Sequence, residues 1–230
     1  MTSNQQILSD LRLIMDAGHS LELLSTYKGV PIICKAKILE IGNDVVRLKA
    51  DGSALVCLAN EKQIRVLGSD YFEPSLAQVL SIDLPTGKIE LRDFGYLGTK
   101  LGERMIVRVE PKSPIRVTLI HDDKKTYGLI VDLSINGMGV RIGYADYNPS
   151  LKPGTNIHVH TELPSGEIDI GGVILSVVRT NEYYRISLRF FQNGLQKSTI
   201  FKYLVDRRAE IELELQHDYD VALKKQESVT

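Results

Sequence analysis

Residues 102–139 read GERMIVRVEPKSPIRVTLIHDDKKTYGLIVDLSINGMG, and this stretch decides how the chain is read. Arg104 and Arg108 stand four apart, separated only by Met105, Ile106 and Val107. The run is β-branched and is ended by Pro111, which favours extended backbone over helix. In that form the two arginines share a face at a separation of about 13 Å. Downstream, Leu129-Ile130-Val131-Asp132-Leu133-Ser134 alternates so that Asp132 and Ser134 project to one side. Asn136-Gly137 then predicts a tight turn, with Gly137 free to take a positive φ.

The chemistry of these residues is complementary. An arginine fork matches the O6 and N7 acceptors of a guanine edge, stacks on a purine, or bridges to phosphate. A carboxylate accepts from guanine N1–H and N2–H₂, an edge that arginine cannot read. Backbone N–H groups at a glycine turn can meet phosphate. Each half taken alone also fits solvated linker charges and a capped hairpin.

RxxxR followed by [D/N]xSxxG, with strand-like sequence between, resembles the signature of PilZ domains, bacterial receptors for cyclic di-GMP. The resemblance covers roughly residues 103–192. It implies a ligand, cyclic di-GMP, held by Arg104, Arg108, Asp132, Ser134 and Gly137, with Asn136 and Arg179 as secondary candidates. Glu103 stands where another basic residue would help neutralise a stacked ligand dimer, so one ligand molecule per site is expected.

The remainder of the chain sets the frame. It has 230 residues, 43% hydrophobic and 25% charged, enough for two domains with real cores. A formal net charge of −1 speaks against a general nucleic-acid or membrane-surface binder. Cys34 and Cys57 lie in apolar runs and read as small buried hydrophobes. No signal-peptide layout and no membrane-length apolar run is present, so a cytoplasmic protein is expected, and the resemblance implies a bacterial one.

Residues 3–17 have helical spacing, with Ser3 and Gln6 as a capping box and Gly18 as a stop. From Leu21 to Leu97, short strands separated by Gly, Asn and Asp predict a small antiparallel barrel. One of those strands is placed at Ala54–Leu58, after an Asp51-Gly52 turn. This region loosely resembles the N-terminal barrel of flagellar-brake proteins. A glycine-rich joint follows, then strands near Ile115–His121, Tyr127–Leu133, Gly139–Ile142, Asn156–Leu163, Ile168–Arg179 and Tyr184–Phe191. Residues 195–226 form a terminal helix whose apolar face is assigned to Ile200, Phe201, Leu204 and Val205. The expected fold is mainly β: two small antiparallel β-barrels in tandem, with an N-terminal and a C-terminal helix. The domain scheme is 1–98 for the first barrel, 99–114 for the linker, 103–195 for the PilZ barrel and 196–228 for the helix.

His158 and His160 share a strand face, but no third ligand accompanies them, and they read as solvent-facing rather than metal-binding. No Walker loop, dinucleotide fingerprint, HExxH or GxSxxG motif occurs, so no enzyme, metal or cofactor is expected. The resemblance implies an effector in which cyclic di-GMP binding rearranges the two barrels. A protein partner such as a flagellar motor or other downstream component is then engaged, regulating motility or biofilm formation at the flagellar basal body. A homodimer is compatible with this reading. The alternative is a ligand-independent PilZ-like adaptor.

Overall fold

The computed structural model describes residues 3–68, 72–97, 107–191 and 194–227, and the counts below refer to these. Two compact units are present. One comprises the described parts of Met1–Tyr27, Pro31–Met105 and Ile211–Thr230; the other comprises those of Lys28–Val30 and Ile106–Glu210.

The first unit opens with α1 (Ser3–Asp16). Its buried stripe, Ile7, Leu8, Leu11 and Ile14, has the expected helical spacing. The helix ends as Gly18 takes φ +70° and the His19 N–H donates to the Ile14 carbonyl, the glycine stop expected from the sequence. Gln6 donates its side-chain amide to Asp10 one turn on.

Strands β1 (Ser20–Tyr27), β2 (Val30–Ile41), β3 (Val45–Ala50), β4 (Gln63–Leu67), β5 (Ser75–Asp83) and β6 (Lys88–Tyr96) close a barrel in the order β1-β2-β3-β6-β5-β4. Alternate residues point inward, so Leu21, Leu23, Leu48, Ile64, Ile89 and Leu91 fill the interior.

The expected strand at Ala54–Leu58 is instead a short helix, α2 (Ala54–Ala59). Leu55, Val56, Cys57 and Leu58 are all buried. A continuous apolar run carries neither period, and here the Gly52 turn at φ +97° feeds a helical turn rather than a hairpin.

The second unit is a further antiparallel barrel. It is built from β8 (Arg116–His121), β9 (Lys124–Ser134), β10 (Gly137–Gly143), β11 (Asn156–Leu163), β12 (Gly166–Arg179) and β13 (Tyr183–Phe190). A short strand, β7 (Arg108–Val109), precedes them. The order β10-β13-β12-β11-β8-β9-β7 is closed by an additional β9–β10 pairing. The interior holds Val117, Leu119, Leu133, Met138, Val140, Ile157, Val159, Ile174, Ile186 and Leu188.

The last helix, α3 (Gly194–Glu227), is divided between the units. Its N-terminal part buries Ile200, Tyr203, Leu204 and Arg207, whereas Phe201 and Val205 are exposed. The expected face is therefore half corrected. Four apolar residues at 200, 201, 204 and 205 straddle two adjacent stripes, and only packing selects one. Leu215, further along, belongs to the core of the first unit.

Candidate functional site

β9 is long enough to serve several neighbours. Its N-terminal half pairs with β8, its C-terminal half pairs with β10, and Ser134 and Leu133 also pair with Arg108 and Val109 of β7. Between Ile130 and Asp132 the register shifts, leaving Val131 as a bulge. Without the bulge, Ile130 and Asp132 would share a face. With it, Ile130 enters the core and Asp132 lies on the outer wall, beside Gly139.

On that outer wall the cross-strand registers define three rows. The first runs Arg108, Ser134, Gly137, Arg189, Val173. The second runs Asp132, Gly139, Ser187, Ser176, and the third Leu129, Arg141, Arg185, Val178. A floor of small residues thus lies between arginines above and below it.

Asp132 is the electrostatic centre. Arg108 donates from Nη1 to Oδ1 at 2.8 Å, and Arg185 donates from Nη2 to Oδ2 at 2.5 Å. The Asp132 side chain is only 10% exposed, while those of Arg108 and Arg185 are 47% and 42% exposed. A nearly buried carboxylate thus anchors two half-exposed guanidinium groups. Gly139 permits this arrangement, because a Cβ there would lie 2.7 Å from Asp132 Oδ2.

Arg108 and Asp132, 24 residues apart in sequence, are thereby brought together, and Arg108 is extended as its alternating run predicted. Arg104 and Glu103 lie outside the described residues. Ser134 is on the expected side of β9, but it is buried and its hydroxyl donates to the Gly137 carbonyl at 2.9 Å, locking the turn. Asn136 is exposed, and its carbonyl accepts from the Phe190 N–H at 2.8 Å.

Gly137 does not adopt a positive φ. Its need for glycine is steric, since a Cβ would come within 2.0 Å of the Leu188 carbonyl oxygen. The turn expected at Asn136-Gly137 lies instead at Ile135-Asn136, and Gly137 is the first residue of β10. Positive φ appears instead at Asp122 and Asp123, the two-residue turn between β8 and β9.

Arg179 stands apart from Asp132. Its guanidinium lies over the Tyr144 ring, 5.1 Å from the centroid, beside the stacked Tyr147–Tyr184 pair. Arg185 is the residue that sequence reading missed. Its only local signal is its place in the alternating Tyr183–Phe190 strand.

His158 and His160 are half exposed but not simply solvent-facing: His158 contacts Asp169, and His160 Nδ1 lies 3.5 Å from Glu167. No group of three or more His, Cys, Asp or Glu able to hold a metal occurs among the described residues. None of the described helices is long and apolar enough to cross a membrane.

The family model of the PilZ domain matches residues 103–206. An uncharacterized protein of Aquifex aeolicus (strain VF5) is 27% identical over 182 residues, which cover 78% of this chain and 86% of the relative. Among solved structures, the MrkH–c-di-GMP complex of K. pneumonia aligns over 93% of this chain and 98% of its own, at 16% identity and a TM-score of 0.48. The Bacillus subtilis inhibitor of motility (MotI/DgrA) aligns over 84% and 97%, at 13% identity and 0.45. YcgR of Escherichia coli in complex with c-di-GMP aligns over 99% and 95%, at 16% identity and 0.42.

Proposed function

We propose that this chain is a cyclic di-GMP receptor of the effector type, a binding protein rather than a catalyst. The observation that carries this reading is the junction of the two motif halves: Arg108 at 2.8 Å from Asp132, on a wall floored by Gly137 and Gly139. The PilZ match over residues 103–206 supports it.

The receptor reading assigns distinct work to each residue. Arg108, with Arg104 preceding it in the motif, presents guanidinium forks to guanine or phosphate. Asp132 orients Arg108 before the ligand arrives, which lowers the ordering cost of binding. Its carboxylate can then exchange one arginine contact for guanine N–H donors. Ser134 and Gly137 shape the floor and hold the turn. Ligand binding rearranges the two barrels in this reading, and this in turn governs a protein partner in motility or biofilm control. The chain acts in the bacterial cytoplasm, including at the flagellar basal body.

Calorimetric titration with cyclic di-GMP, against GTP and cyclic AMP, tests the reading. Saturable binding of cyclic di-GMP alone is expected. Arg108→Ala and Asp132→Ala are each expected to weaken it by about 1–3 kcal/mol, the size of one bidentate or charge-assisted contact. No heat from the native chain with cyclic di-GMP would instead favour the ligand-independent adaptor.

A further inference from the structure

Arg141 and Arg185 face each other directly across β10 and β13. Partners in an antiparallel register point to the same side of the sheet, and like charges so placed repel. Arg185 donates to Asp132 at 2.5 Å, but that carboxylate also accepts from Arg108. Arg141 is exposed and has no ion pair or side-chain hydrogen bond among the described residues. One carboxylate set against Arg108, Arg185 and Arg141 leaves uncompensated positive charge on the wall that carries Asp132.

The position of that charge is specific. Arg108 and Arg189 lie in the row on one side of Asp132, Gly139, Ser187 and Ser176, and Arg141 and Arg185 lie in the row on the other. Rows four residues apart along a strand are separated by about 13 Å. Between them lie a glycine, two serines and Asp132. Four arginines border this row, against one acidic residue within it. A ligand with a single anionic group would satisfy one wall, whereas a ligand with two would satisfy both.

We infer that Arg141, with Arg185 beside it, is a second anion-binding wall of this site, contacting a phosphate of the cyclic dinucleotide opposite the RxxxR side. This inference rests on the receptor reading above and extends it to residues outside the RxxxR and DxSxxG motifs.

The test is titration of the full chain and its Arg141→Met and Arg141→Lys variants with cyclic di-GMP at low and high salt. Arg141→Met keeps the side-chain stem and removes the charge. It is expected to weaken binding about tenfold and to flatten the salt dependence, while Arg141→Lys retains part of the affinity. The melting temperature of Arg141→Met is expected to stay equal to or above that of the native chain, because a like-charge pair is relieved. Unchanged affinity and salt dependence in Arg141→Met, with the native chain binding, overturns this inference alone. Failure of the native chain to bind overturns it together with the receptor reading.

Discussion

Gly137 and Asp132 illustrate how single residues set the site. Gly137 pairs with Arg189 across β10 and β13, and an added methyl would meet the Leu188 carbonyl oxygen at 2.0 Å. That neighbour is backbone, so relief requires the strands to part. Gly137→Ala is expected to cost about 1–3 kcal/mol of stability by urea unfolding. Gly95, whose Cβ would meet nothing within 4 Å, provides the control. Its alanine variant should stay within about 0.5 kcal/mol of the native chain. Equal stability of the two variants would show that the β10–β13 approach is looser than described. Asp132 acts differently. Its hydrogen-bond partners are the side chains of Arg108 and Arg185 rather than backbone.

At the scale of elements, α3 is tied to the site through Arg207. This residue is 3% exposed; its Nε donates to the Glu110 carbonyl at 2.8 Å and its Nη1 to Glu210 at 3.0 Å. Glu110 lies immediately after β7, two residues from Arg108. A buried guanidinium thus fixes the strand end that presents the motif arginine. Arg207→Ala leaves that carbonyl without its donor and is expected to destabilise the chain by about 1–3 kcal/mol. Chemical denaturation reads this directly, and a change below a few tenths would mean that β7 is held by other contacts.

The elements also show what local pattern can reveal. Strands with clean alternation, such as β3 and β11, were legible, and so was α1 with its glycine stop. Ala54–Ala59 was not, because four consecutive apolar residues fit a buried strand as well as a buried helical turn. The face of α3 was ambiguous for the same reason: Ile200/Leu204 and Phe201/Val205 are equally apolar, and docking buried the first pair.

At the scale of the whole molecule, the titration of the first barrel's core couples its stability to pH. Cys34 and Cys57 are buried free thiols whose pKa values are each pushed from 9.0 to about 11, chiefly by desolvation and then by Asp51 and Glu61 respectively. The folded chain therefore holds these protons more tightly than the unfolded chain does. The resulting stabilisation is complete below about pH 9 and is lost as pH rises through about 11. The melting temperature is expected to fall across that window, and Cys34→Ala/Cys57→Ala should fall less steeply. Thiol reagents at neutral pH should react with the native chain only after unfolding. Rapid native-state labelling would contradict the burial of these residues.

The sequence by itself determined the period-2 strands, the turn residues, and the presence of RxxxR and DxSxxG in order. These are local properties, fixed by sterics and side-chain chemistry within a few neighbours. The tertiary structure alone decided that Val131 bulges to turn Asp132 outward, and that Arg185, 53 residues away, completes its ion pairs. It also decided that Gly137 answers to the Leu188 carbonyl rather than to its own φ. Each depends on register between strands distant in sequence, which closing the barrel imposes and no local pattern encodes.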